Sequence, residues 1–175
     1  KKFSAAMSAF VMGRGRDEGI QLGASVSIKE RNKIAELVDQ SVTSGGKVIT
    51  GGALPDGPGA FYPATVIEVG ADNPILNHEV FGPVAPVVTF DTDEEGITLA
   101  NSTDYGLISY VYSEDLKRAL RMAEAIESGM VAINRGVISD PAAPFGGVKQ
   151  SGLGREGGFD GIHEFLETKY IGVEI

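Results

Sequence analysis

The amino-acid sequence predicts an α/β protein organised around a parallel sheet. Three short apolar runs of strand length, Val84 to Phe90, Leu107 to Tyr112 and Met130 to Asn134, are separated by two segments that read as helices. The first, Asp93 to Asn101, is short; the second carries Leu116, Ala119, Leu120, Ala123 and Ile126 as an apolar stripe. Strand, helix, strand, helix, strand in that order is the pattern of crossover units, which lay parallel strands side by side. At 175 residues the chain is long enough for one domain or slightly more, with a core that needs no covalent staples.

Taken in order, the remaining elements follow from local chemistry. Ala5 to Met12 is apolar and small-sided, a helix end stopped by Gly13 and Gly15, and Gly13 to Gly23 reads as a connection. Between Ser27 and Ser44 the residues Ile34, Leu37, Val38 and Val42 recur at helical spacing until Gly45-Gly46 ends the run. Lys47 to Thr50 and Ala64 to Val69 read as strands on either side of a Pro- and Gly-rich turn, Gly51 to Gly59. Ser113 is the expected N-cap of the second crossover helix, with Glu114 and Asp115 in the first turn, where the helix dipole favours acids. Arg135 to Gly161 has little periodicity, and aperiodic stretches of that length in compact domains are functional or disordered; Phe145 and Phe159 favour an ordered site loop. Ile162 to Glu167 reads as a short helix. Thr168 to Ile175 alternates as a terminal strand, which needs a partner inside the fold or on another subunit.

Composition excludes several functions. The net charge is −9, and the 15 Lys and Arg are scattered, which is the wrong footprint for a phosphate backbone; no nucleic-acid partner is expected. No apolar run approaches the ~20 residues of a bilayer span, so no membrane partner is expected either. The basic start Lys1-Lys2 is followed by Ser8, Arg14 and Arg16, which interrupt any signal-peptide core. With zero cysteines there are no disulfides, no thiolate metal ligands and no cysteine nucleophile, and the cytosol is the default compartment. His78 and His163 stand alone, so no metal site is expected. Gly152 to Gly157 matches G-x-G-x-x-G letter for letter. Gly146 to Ser151 before it form no strand, and the chain ends before a ribose-binding acid could follow, so the dinucleotide fingerprint is rejected there.

Two segments carry chemistry. In His78-Glu79-Val80-Phe81-Gly82-Pro83 a carboxylate, an aromatic ring and a Gly-Pro turn meet at a strand entrance. Such a carboxylate can accept from two vicinal hydroxyls and the ring can pack a flat partner; equally, the pair is a helix-terminal Glu and a core Phe. Ser139 to Glu156 sets Gly146-Gly147, which lets backbone approach a ligand, beside Phe145 as an aromatic wall, with Lys149, Arg155 and Glu156 as charge. The alternative is a Gly-rich surface connection with a solvated Arg155–Glu156 pair.

Glu79-Val-Phe-Gly-Pro83, Asn101-Ser-Thr-Asp-Tyr-Gly-Leu107, Pro144-Phe-Gly-Gly-Val-Lys-Gln-Ser-Gly152 and Gly154-Arg-Glu156 together resemble, in order and spacing, the motifs of the aldehyde dehydrogenase superfamily. Val137-Ile138-Ser139 ahead of Pro144-Phe145, with Lys149 to Gly157, resembles its succinate-semialdehyde dehydrogenases most. The resemblance implies a parallel-sheet, three-layer αβα catalytic-domain portion over residues 1–166, and an oligomerisation strand over 167–175. It implies an enzyme that oxidises succinic semialdehyde to succinate with NAD or NADP, through a cysteine thiohemiacetal and thioester. Glu79 would bind the nicotinamide ribose and Phe81 would pack near the nicotinamide. Ser139 would contact the succinyl carboxylate, Phe145 would line the aldehyde pocket, and Glu156 would serve a proton relay.

The family's cysteine, its base glutamate, its cofactor-binding half and a substrate-binding arginine fall before the position that Lys1 matches. The chain therefore reads as a C-terminal portion, a fragment expected to form no NAD(P)H alone with succinic semialdehyde. Its expected partners are the small-molecule aldehyde, the N-terminal cofactor-binding part of the same enzyme, and further copies in a homodimer or homotetramer. Two alternatives remain: another aldehyde dehydrogenase subfamily, and a non-catalytic assembly or ligand-sensing module of the same fold.

Overall fold

The computed structural model describes residues 1–175, which divide into two compact units, Lys1–Thr89 and Phe90–Ile175. Each has its own elements and core.

The first unit begins with helix α1, Lys2–Ser8, shorter than and displaced from the expected Ala5 to Met12. Backbone pairing ends it early. Val11 accepts at its carbonyl from Gln21 N (2.9 Å) and Leu22 N (3.2 Å), and Gly13 N donates to Leu22 O (3.0 Å), so the chain pairs with itself where the helix was expected to continue. Ser8 Oγ and Thr50 Oγ1, 2.6 Å apart, tie α1 to the first strand. Helix α2, Ile28–Thr43, starts at the expected Ser27, whose hydroxyl accepts from Glu30 N (3.1 Å). Its buried face is Ile34, Val38 and Ser41, whereas Val42 is 45% exposed. Seven residues on from Ile34, Ser41 falls on the same side of the helix and Val42 does not. The sequence conceals this because the residue continuing the buried stripe is polar. Gly45, at φ 91°, then turns the chain as only glycine does readily, and Gly46 N closes on Ser41 O (2.8 Å).

Strands β1 (Lys47–Thr50), β2 (Thr65–Glu68) and β3 (Val84–Val87) form a sheet in the order β1-β2-β3. The β1–β2 pair is antiparallel, with a register irregularity between Val48 and Thr50, and β2–β3 is parallel. Central β2 is the buried strand; β3 is half-buried and carries Pro86, which an edge tolerates because it cannot donate to a ladder. Two clusters make the core. Ile34 and Val38 of α2 pack with Tyr62, and Ile67 of β2 packs with Val69 and Ile75. The Tyr62 hydroxyl is buried without a hydrogen-bond partner; burial first, and then the Asp39 carboxylate, push its pKa up to about 12.

In the second unit, helix α3 (Asp93–Asn101) is capped by Thr92, whose hydroxyl accepts from Glu95 N (3.1 Å), while the Glu95 carboxylate accepts from Asp91 N (2.8 Å). Strand β4 (Tyr105–Gly106) precedes β5 (Ile108–Val111), which lies parallel to β6 (Met130–Ile133) across helix α4 (Leu116–Ala125), the predicted crossover. The cap of α4 is Asp115, not Ser113: its Oδ1 accepts from Lys117 N (2.9 Å) and Arg118 N (3.1 Å), and Ser113 Oγ accepts from Asp115 N (3.1 Å) one step earlier. Of the predicted stripe, Ala119 is fully buried and Ile126 buried with Val111, while Leu116 and Leu120 are exposed. The Arg118 guanidinium donates to Asp93 (2.8 Å), which joins α3 to α4 and holds the Asp93 carboxyl below its usual range. Strand β7 (Val148–Lys149) pairs antiparallel with β4, and a 3-10 turn covers Asp160–Phe165.

The sheets are thus mixed, not wholly parallel: β1–β2 and β4–β7 run antiparallel. Of the expected strand, helix, strand, helix, strand series only β5 and β6 pair in parallel; β3 pairs with β2 and shares no sheet with β5. The pattern offers nothing on a hairpin-like return such as β4–β7, whose strands lie far apart in the chain. Residues 166–175 form no strand in this single chain. An extended segment becomes a strand only against a partner's N–H and C=O groups. No helix is long and apolar enough to cross a membrane.

Candidate functional site

Each unit displays one of the two chemistry-bearing segments. In the first unit, Asn73 builds the approach. It is 2% exposed; its Oδ1 accepts from Ser41 Oγ (2.8 Å) and Ile75 N (3.2 Å), and its Nδ2 donates to Ser41 O (3.0 Å). One side chain thereby caps the 3-10 turn Pro74–Asn77 and fastens it to the C-terminal end of α2. From this anchor the chain leaves through His78 and Glu79, both exposed. Val80 turns inward against both core clusters, and Phe81 points out, 76% exposed. Gly82 N donates to Val80 O (2.8 Å) and Val84 N to Gly82 O (2.8 Å), two successive tight turns that lead into β3. Gly82 lies so close to Ile34 that a Cβ there would collide with its side chain. Glu79 and Phe81 are therefore held outward on either side of a residue packed against the core. This excludes the reading of Phe81 as a core residue.

In the second unit, Phe145 and Glu156 are backbone partners. Phe145 N donates to Glu156 O (2.7 Å) and Glu156 N to Phe145 O (2.8 Å). The Phe145 ring is half-buried and Glu156 exposed. Two concavities meet at Phe145. One, of about 240 Å³, is lined by Met130, Ile138, Asp140 and Pro144 among others; the second, of about 380 Å³, by Ser151, Arg155, Glu156, Glu164 and Phe165. Ser139 lies exposed between Ile138 and Asp140, and Asp140 folds the following turn by accepting from Ala142 N (2.9 Å).

Three sequence-level roles change here. Gly146-Gly147 was expected to admit a ligand; instead the pair admits the protein's own backbone. A Cβ on Gly146 would collide with Gly154 O and Arg155, and one on Gly147 would lie 2.7 Å from Ser151 Cβ. Arg155 does not pair with Glu156. Its Nη1 donates to Gly147 O and Gly154 O, both at 2.7 Å, and Glu164 Oε1 accepts from its backbone N (3.2 Å). Lys149 is drawn back into the fold, its Nζ 2.7 Å from Glu127 Oε2. The residues that sequence reasoning missed are the fasteners, Ser41, Asn73 and Glu164. Their only signal is a polar residue where the periodicity calls for an apolar one, and that is visible for Ser41 alone.

The aldehyde dehydrogenase family matches residues 1–171 of this chain. A succinate-semialdehyde dehydrogenase of Paenarthrobacter nicotinovorans is 53% identical over 174 residues, covering 99% of the chain and 39% of that protein. A glutarate-semialdehyde dehydrogenase of Pseudomonas putida is 41% identical over 175 residues, covering 100% of the chain and 36% of its own length. Among solved structures, a betaine aldehyde dehydrogenase variant of Staphylococcus aureus, in complex with NAD+ and bearing a modified cysteine, superposes with a TM-score of 0.91 at 37% identity, over 97% of this chain and 35% of that one. The chain spans less than two fifths of the length of the curated relatives it matches. The family match, the extent of identity and the shared fold agree: the chain belongs to the aldehyde dehydrogenase family.

Proposed function

We propose that these 175 residues supply part of the site of an NAD(P)+-dependent oxidoreductase that converts succinic semialdehyde to succinate. The observation that carries this reading is the outward pair Glu79 and Phe81, flanking a half-buried, core-packed Val80 on a segment that Asn73 fastens. A carboxylate and an aromatic face, both in solvent on rigid backbone, suit a ribose diol and the flat ring next to it. A nicotinamide cofactor held by these residues would supply the hydride acceptor. Glu79 fixes its ribose and Phe81 limits where its ring can lie. Phe145 forms the apolar wall for the aldehyde. Ser139 donates to the distal carboxylate, a charge-assisted bond of the stronger kind. Glu156, exposed beside Phe145 through the backbone bridge, serves proton transfer to and from water.

The chain contains no cysteine, so the thiolate that attacks the aldehyde is supplied by residues outside these 175, and the chain alone oxidises no aldehyde. The identity to succinate-semialdehyde dehydrogenases supports the substrate assignment. In the same proposal residues 1–166 complete a three-layer αβα domain and residues 167–175 pair with another subunit.

Glu79→Gln tests the cofactor half. In the enzyme containing this chain, losing a charged acceptor should raise the KM for NAD(P)+ about tenfold, with the aldehyde KM unchanged. Initial-rate kinetics with each substrate varied in turn measures this. An unchanged cofactor KM would remove Glu79 from the site.

A further inference from the structure

A strand pair of two residues on each side cannot fix its own register, yet β4–β7 carries the loop that ends in Phe145 and Glu156. Something else must hold it. Lys149 lies in β7 at φ 54°, a backbone conformation unfavourable to a side chain, and so is retained there against local preference. Its Nζ donates to Asn101 O (2.9 Å) and Thr103 O (3.2 Å) and pairs with Glu127 Oε2 (2.7 Å). These oxygens come from the end of α3, the turn after it, and the segment after α4.

Asn101 closes the network. Its Oδ1 accepts from Glu127 N (2.8 Å) and its Nδ2 donates to Ala125 O (2.9 Å), so the ends of the two helices are tied to each other before either meets the ammonium. Beyond Lys149, Gln150 N donates to Asp104 O (2.9 Å) and Ser151 Oγ accepts from Gly106 N (3.0 Å). An ammonium has three donors and no acceptor, and here each donor meets a separate oxygen. None remains for a ligand.

We propose that Lys149 is a positioning residue: its ammonium locks β7 against the ends of α3 and α4, and thereby sets where Phe145 and Glu156 stand. This rests on the reading of Phe145 and Glu156 as site residues. Two readouts separate the two claims. The first is amide hydrogen exchange on the enzyme containing this chain, comparing wild type with Lys149→Gly. Glycine suits the positive φ, so any loosening comes from the lost ammonium and not from backbone strain. Exchange at the Phe145, Gln150 and Glu156 amides should accelerate about tenfold or more, while the Asn134 amide, bonded to Val111 O between β5 and β6, keeps its wild-type rate.

Unchanged exchange at Phe145 and Glu156 would overturn the proposal. If Lys149→Gly unfolds the whole unit, Glu127→Gln, which removes only the charge of one exposed partner, decides: faster exchange confined to the same three amides supports it, and wild-type rates overturn it. The second readout is kinetic, in the enzyme containing this chain. Lys149→Gly should raise the aldehyde KM several-fold and leave the cofactor KM unchanged, and equal changes in both would overturn positioning. An enzyme with no NAD(P)+-dependent aldehyde oxidation would instead refute the functional reading, leaving the exchange result to stand alone.

Discussion

Gly129→Ala is expected to destabilise the Phe90–Ile175 unit by about 3 kcal/mol, the upper end of the range for overpacking. The added Cβ would collide with Gly146 O and lie 2.8 Å from Gly147 Cα and 2.9 Å from Gly146 C. All three are backbone atoms, so no rotamer change relieves the overlap. The backbone of Gly129 cannot retreat, because its own N–H donates to Gly106 O (2.9 Å) and the next, from Met130, to Leu107 O (3.1 Å). Nor can the Gly146 loop, since its other face lies against Gly154 O and Arg155. Chemical denaturation of the variant measures the loss. Wild-type stability would mean that the loop does not pack on the entrance of β6. Because Phe145 immediately precedes Gly146, the same substitution should weaken aldehyde binding, even where the protein remains folded.

Asn73→Ala should cost the Lys1–Thr89 unit about 3 kcal/mol. The substitution strands Ser41 Oγ and Ile75 N, while Ser41 O keeps the bond from Gly46 N, in a region where Ser41 is fully buried and Asn73 nearly so. Each buried polar group left unpaired costs about 1–3 kcal/mol, and Ser41 Oγ can recover part of this by turning to a nearby carbonyl. Ser41→Ala removes the hydroxyl itself and leaves Ile75 N paired with Asn73 Oδ1, so it should cost less. The double variant should fall short of the sum, because the two side chains share a bond. Additive losses in denaturation would show that the pair acts independently. Asn73 also carries Glu79 and Phe81 through the turn it caps, so its loss should loosen both.

The parts of this fold that were legible in the sequence are those where one local rule operates unopposed. The helical recurrence of Ile34, Leu37 and Val38 and the stop at Gly45-Gly46 announced α2, and the stretch around α4 announced a crossover through strand, stripe and strand. Ala5 to Met12 misled because a small apolar run satisfies a helix and a self-paired loop equally, and the pairing of Val11 with Gln21 and Leu22 is decided by residues ten positions away. Ser113 and Asp115 both qualify as caps by residue type. Only geometry separates the hydroxyl that folds the preceding turn from the carboxylate that meets two helix amides.

The site divides in the same way. Glu79, Phe81, Ser139, Phe145 and Glu156, the proposed site residues, stand in segments that motifs single out. What Gly146-Gly147, Lys149 and Arg155 do was not legible. Glycine beside a cation reads as ligand-binding chemistry, whereas here the glycines admit neighbouring backbone and the cations meet carbonyl and carboxylate oxygens of the chain itself. Residue type specifies a capacity to donate, and tertiary contacts choose the acceptor.

Substrate discrimination by the enzyme containing this chain tests the proposed function most directly. Ser139 is exposed in the loop that leads to Phe145, and its proposed task is to bind the distal carboxylate of a four-carbon semialdehyde. Steady-state kinetics should compare succinic semialdehyde with butanal, which has the same length and no carboxylate, in wild type and in Ser139→Ala. Wild type should prefer the semialdehyde, and Ser139→Ala should lower kcat/KM for it about tenfold while the rate with butanal stays unchanged. No preference in wild type, or an equal loss for both aldehydes, would contradict the assignment.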